Sequence, residues 1–315
     1  MKKIWKLLKA HLAADFDWKL YSLVAIFLAV FIFVNYKISL ENGIIDKHVG
    51  QSIRVLYYFL LQSFTYFSVS FIVFVRRRQL HFFRSARYWA ITLFALFCLS
   101  LNLGFPYLQP MSTFFSKGHY YLYTWVYGVT NNLINFFIET APLFVFAWFF
   151  EKQRENFGVN KTNIDLKPYW QILMIVVPLV VIASFEDGFR NYYPMYRKYE
   201  VRAEEVSLLW KWIYAIGFEI AYGMDFFNVE FLFRGVLVIG VSQIVGKEVI
   251  LPMVAAYCVL HFGKPAGECI SSIFGGYILG VVALYTRNIW GGVIVHIGLA
   301  WMMEIVAFVH RAMSS

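Results

Sequence analysis

The sequence predicts an all-α, polytopic membrane helix bundle of eight to ten helices, preceded by an amphipathic helix at the membrane surface. Three observations carry this. Of 315 residues, 60% are apolar and 15% charged, whereas soluble domains run near about 45–50% and about 25%. The apolar residues gather in runs close to the roughly 20 residues needed to cross a hydrocarbon core. The basic residues behind a net charge of +9 sit between those runs, where they set topology and meet anionic lipid. That pattern argues against a water-soluble enzyme and against nucleic acid as a partner; membrane lipid is the expected surrounding.

Residues 1–18 form the amphipathic segment. Ile4, Trp5, Leu8 and Leu12 share one helical face, and Lys2, Lys3, Lys6 and Lys9 the other, the pattern of a helix lying in the interface. Asp15 and Asp17 interrupt the approach to the first apolar run, which argues against a signal peptide. Residues 19–207 are expected to be a transmembrane scaffold, with apolar runs at 20–37, 55–75, 88–104, 129–150 and 170–185. The aromatic-rich stretch from Phe105 to Gly128 is expected to lie along the outer interface. Residues 208–310 are expected to be a second unit with runs at 208–224, 226–243, 248–262, 266–286 and 289–309. Short turns, Gly223-Met224-Asp225 and Gly263-Lys264-Pro265, would join its helices.

Orientation follows from Lys and Arg in the connections. The N-terminal segment carries Lys2, Lys3, Lys6, Lys9 and Lys19; the second connection Arg76, Arg77, Arg78, Arg84 and Arg87; the fourth Lys152, Arg154, Lys161 and Lys167. The first holds Lys47 and Arg54, and the third Lys117 alone. This bias places the N-terminus in the cytoplasm. Cys98, Cys258 and Cys269 lie in apolar runs without a ligand spacing, so they read as small buried hydrophobes.

An ionisable side chain at mid-bilayer costs about 2.5–3.5 kcal/mol on the insertion scale and needs a reason to be there. The first five runs hold essentially one, Glu139, whereas the last third holds Glu219, Asp225, Glu230, Arg234, His261, Glu268, His296 and Glu304. That asymmetry locates the function in residues 208–309. Glu230 and Arg234, four apart, share a helix face; they are either a self-neutralising pair or a general base with its orienting cation. His261 closes one apolar run, and His296 lies inside another, where a buried imidazole must find a partner. Gly275, Gly276, Gly280, Gly291, Gly292 and Gly298 provide small-residue spacings for close helix contact. Counting ten helices from a cytoplasmic N-terminus puts Glu230, His261 and Glu268 in one layer on the cytoplasmic side, with His296 nearer the opposite end.

These residues resemble the motifs of the CPBP family, the CAAX-protease and bacteriocin-processing (Abi) intramembrane proteins. Its first motif, Glu-Glu-x-x-x-Arg, is matched by Val229-Glu230-Phe-Leu-Phe-Arg234; its second, Phe-x-x-x-His, by Tyr257-Cys-Val-Leu-His261; its third, His-x-x-x-Asn or Asp, by His296-Ile-Gly-Leu-Ala300. Val229 and Ala300 stand where the family has the first Glu and the Asn, so this is a divergent member with a single Glu in the first motif. The stretch from His261 to Glu268 is similar to a variant of that kind.

The resemblance implies a metal-free glutamate endopeptidase that needs no cofactor and acts on a membrane-associated protein or peptide. Glu230 or Glu268 would be the general base, and His261 would polarise the same water. His296 would donate to the oxyanion, and Arg234 would orient Glu230. Glu304 is a further candidate substitute for a missing group. The residues themselves show no phosphate-cradling Gly motif and no His-Glu-x-x-His pair. Two other readings stay open: a catalytically inactive CPBP-like binding or immunity protein, and a proton-coupled transporter, against which the lack of an evident inverted repeat weighs. Oligomeric state is not encoded in any of these features.

Overall fold

A computed structural model of the chain describes residues 2–117, 119–150, 156–160, 165–201 and 206–314. Lys152, Arg154 and Lys161 of the fourth connection lie outside them. Among the described residues every regular element is a helix. Among the described residues, seven helices are long and apolar enough to cross a membrane, or eight when a pair bent by 94° counts as one span.

The chain begins with α1 (Lys2–Asp15) and α2 (Trp18–Ile38), which starts where the Asp17 carboxylate accepts the backbone N–H groups of Lys19 and Leu20 at 3.0 and 3.3 Å. Only Leu20, Val24, Leu28 and Asn35 of α2 are buried, so one stripe meets the bundle and the rest is left for lipid. α3 (Ile53–Arg76) and α4 (Ala86–Gly104) follow; Ser85 caps α4 through Tyr88 N–H at 3.3 Å. The aromatic connection folds into a short α5 (Leu108–Ser116) and the first turns of α6 (Tyr120–Asn135). The fourth run therefore starts nearer 120 than the expected 129. A π-helical turn, Phe136–Thr140, carries α6 into α7 (Ala141–Phe150). The bent pair consists of α8 (Lys167–Ala183) and the short α9 (Asp187–Tyr192) and α10 (Tyr196–Tyr199).

The last third departs most from expectation. The Gly223-Met224-Asp225 stretch is not a turn but the interior of α11 (Leu208–Glu230), which continues through a π-helical segment, Phe231–Gly240, into α12 (Val241–Val245). Gly223 is there because a helix crosses closely: a Cβ would stand 3.1 Å from the Trp301 ring. Asp225 stays inside a helix because Asn135 and Asn228 donate to it at 2.7 and 3.2 Å. The chain reverses at Gly246, whose φ of +67° suits glycine, into α13 (Ile250–Val259), α14 (Ala266–Thr286) and α15 (Trp290–Ser314). Apolar residues on every side bury the segment 231–240 completely, and it forms the centre of the core with α13 and α14.

Two sets of contacts define the ends of the bundle. At one end α1 docks onto it: Asp15 pairs with Arg77 at 2.9 Å and Lys247 at 3.4 Å, and His11 bonds to Tyr285 Oη at 3.2 Å. The buried face of α1 is Ile4, Leu8, His11 and Asp15, while Trp5 and Leu12 point outward. At the other end, Asn35 donates to the Phe262 carbonyl at 3.0 Å and Tyr36 to that of Lys264 at 2.7 Å. His261, Lys264 and Glu268 therefore lie at the end away from α1. This overturns their placement on the N-terminal side, because one continuous helix replaced two and changed the parity of every later segment.

Candidate active site

Glu230 closes α11 near the middle of the 208–245 run, where the helix widens into its π segment. Such widening recurs at functional sites because it re-aims side chains within a packed helix. Arg234 Nη1 lies 2.9 Å from Glu230 Oε1, and neither side chain is more than 1% exposed. From α15, His296 Nδ1 reaches the same oxygen at 3.1 Å. A carboxylate paired with a guanidinium accepts, so Nδ1 carries the hydrogen and Nε2 is left as an acceptor. It meets the Tyr257 hydroxyl at 3.2 Å. Tyr257 also lies beneath the Arg234 guanidinium, 4.2 Å from ring centre to Cζ, a cation–π contact strengthened by the burial of both groups. Glu230, Arg234, Tyr257 and His296 thus form one buried cluster drawn from three helical segments.

His261 is one ring away. Its Nδ1 donates to the Tyr257 carbonyl at 2.9 Å, and its ring stands edge-on to the Tyr257 ring at 4.7 Å. The bond to a carbonyl fixes the neutral tautomer, with Nε2 as acceptor. Glu268 belongs elsewhere: Lys264 Nζ is 2.6 Å from Oε1 and the buried Tyr193 hydroxyl donates to Oε2 at 2.9 Å. Glu304 accepts the backbone N–H groups of Met195 and Tyr196 at 2.7 and 3.2 Å, holding the start of α10. Neither is in hydrogen-bonding contact with the Glu230 cluster. The expected layer of Glu230, His261 and Glu268 is accordingly replaced by one in which Glu230 and His296 meet and Glu268 stands apart.

Small residues admit this arrangement. A Cβ at Gly292 would overlap the Glu230 carboxylate, one at Gly276 would stand 2.9 Å from the Tyr257 ring, and one at Gly298 2.6 Å from Leu173. Gly275, by contrast, has nothing within 4 Å and does not serve close packing. Glu230 Oε2 has no hydrogen-bond partner among the described residues. The cleft beside it, bounded by Tyr169, Leu279, Asn288 and Gly292, has no room for a water-sized sphere. The site is closed.

Tyr257 was legible only as the aromatic residue of the second motif; its hydroxyl was the signal for a polar role. Lys264 and Tyr193 were not singled out, and Tyr193 lies outside the motif region. Val229 is half-buried and Ala300 fully buried, so neither position supplies a polar group. Among the described residues, no three His, Cys, Asp or Glu side chains converge as metal ligands.

Residues 225–302, about a quarter of the chain, match the family described as type II CAAX prenyl endopeptidase Rce1-like. No curated protein and no solved structure matches the chain.

Proposed function

Proceeding from the premise that residues 225–302 are an Rce1-like stretch of the CPBP family, we propose that the protein is an intramembrane endopeptidase whose general base is Glu230. The observation that carries this reading is the Glu230–His296 contact of 3.1 Å, which joins the first and third motifs across two helices. Glu230 is preferred to Glu268, whose two oxygens are already occupied by Lys264 and Tyr193.

In the proposed reaction, Glu230 Oε2 takes a proton from water as the water oxygen attacks the scissile carbonyl carbon. His261 Nε2 accepts from the same water and orients it. The developing oxyanion receives the His296 Nδ1–H, which Glu230 holds in the closed state. Breaking the C–N bond returns the proton from Glu230 to the leaving amine. Arg234 fixes the carboxylate by charge and geometry. On the side of Glu230 Oε2, entry of water requires the cleft lining of Tyr169 and α14 to move, a motion that would gate turnover. With its N-terminus in the cytoplasm, the protein would present His261 and Lys264 toward the opposite face of the membrane.

A second reading, a non-catalytic binding or immunity protein, is favoured by the closed cleft together with apolar Val229 and Ala300. Quantitative mapping of new protein N-termini in membranes separates the two. Peptide ends present with the wild type should fall by about 10²–10⁴-fold with Glu230→Gln, the range for loss of an acid–base group, and persist with Glu268→Gln. Ends unchanged by Glu230→Gln, in protein that still folds, would establish the second reading.

A further inference from the structure

A cavity of about 340 Å³ lies apart from the Glu230 cluster, in the half of the bundle away from α1. Its mouth is formed by Glu41, Asp46 and Gly50, after α2, and its wall by the far end of α4; Asn102, Asn135 and Asp225 line its interior. The volume is at the small end of the range for ligand pockets.

The lining carries more acid than base, with Glu41, Asp46 and Asp225 against Arg54, beside the neutral amides of Gln109 and Asn131. Asn135, 4% exposed, donates its amide N–H to Asp225 Oδ1 at 2.7 Å. Asn102 donates to the buried Glu139 at 2.5 Å. With each amide N–H turned to the acid, both carbonyl oxygens are directed away from it. Among the described residues, neither carbonyl oxygen has a hydrogen-bond donor, nor has Asp225 Oδ2, and none of the three is sealed off in the protein. The interior therefore offers three acceptors, one of them a carboxylate oxygen. The mouth's own cation is already committed: Arg54 Nε and Nη2 lie 3.1 and 2.8 Å from Asp46 Oδ1. Glu41 accepts from Tyr58 at 3.3 Å, and burial pushes its carboxyl up to about 8, so an arriving cation would displace a proton there. Tyr127 adds an aromatic wall.

We propose that this cavity binds a small organic cation, a primary amine or guanidinium on a short aliphatic stem, with Asp225 and the Asn102 and Asn135 carbonyl oxygens as its acceptors. Such a group brings several N–H donors to acceptors that have none, and it balances the surplus of acid. A free amine and an Arg or Lys side chain of a peptide are the two sources of such a cation; the acceptors required are the same. The site does not depend on hydrolysis at Glu230.

The test is thermal unfolding of the full chain in detergent micelles, titrated with agmatine. A saturable rise in the midpoint is expected, with none from butyrate or from sodium chloride at matched ionic strength. Asp225→Asn should weaken the apparent Kd about tenfold or more, the usual cost of a charged hydrogen bond. Glu41→Gln, at the mouth of the cavity, should weaken it several-fold and serves if Asp225→Asn does not fold. An arginine-containing pentapeptide that competes with agmatine would identify a peptide side chain as the source, and one that does not would identify a free amine. The absence of a saturable effect, an equal effect from sodium chloride, or an unchanged Kd in the folded variants would overturn the proposal. None of these readouts involves peptide cleavage.

Discussion

Glu230 and Arg234 are a buried ion pair whose members are costly apart and dispensable together. Arg234→Met leaves a carboxylate with only His296 for company and should destabilise the protein by about 3–5 kcal/mol, as breaking buried pairs generally does. Glu230→Leu combined with Arg234→Met removes both charges and should cost far less. Denaturant unfolding in micelles compares them, and a double variant as unstable as the single one would show that the pair is not the source of the cost. Gly292 is the second test at this scale. Its missing side chain makes room for the Glu230 carboxylate, so Gly292→Ala should cost about 1–3 kcal/mol by overpacking. Gly275→Ala, facing open space, should be neutral or slightly stabilising by helix propensity; equal effects at the two positions would refute the packing argument.

Among elements, the continuous helix from 208 to 245 decides most. It lets Glu230 meet His296, and it sends α13 toward the end of the bundle marked by Asn35 and Tyr36. α13 has ten residues, about 15 Å of helix, half of what a span requires. The chain thus returns to a turn, 260–265, that is anchored by α2. A cysteine at position 264 and one at position 85, beside the start of α4, should label from opposite sides of sealed vesicles. A cytoplasmic N-terminus, the orientation expected from the charge bias, would make position 264 the outer one. Labelling of both from the same side would mean that 208–224 and 226–243 are antiparallel after all.

For the molecule as a whole, Asp15 joins three distant stretches of chain. Its carboxylate pairs with Arg77 and Lys247 and accepts from Tyr21 at 2.9 Å, and its backbone carbonyl takes a further bond from Arg77. Asp15→Ala should cost about 2–3 kcal/mol, the scale of hydrogen bonds to a charged group. It should also release α1, seen as faster tryptic cleavage among Lys2, Lys3, Lys6 and Lys9 than in the wild type. A variant of unchanged stability and cleavage would mean that α1 is held by lipid rather than by the bundle.

The sequence by itself determined the class of the molecule. Its apolar runs can be satisfied only by helices in lipid, where backbone groups must bond within their own segment. It also singled out the residues that pack around Glu230: charge is expensive in such runs, and Glu230, Arg234, His261 and His296 stand out against them in the sequence alone. The register of the last third was not legible. Gly223-Met224-Asp225 carries the composition of a turn, and only the partners that reach it from elsewhere, Trp301 against Gly223 and Asn135 against Asp225, make it helix. Glu268 and Glu304 were equally ambiguous, since an acid beside a motif reads the same whether it faces water, Lys264 or the N–H groups of α10. Tertiary structure decided these because the cost of a buried charge depends on which partners arrive from distant segments, and that is a property of the packed bundle.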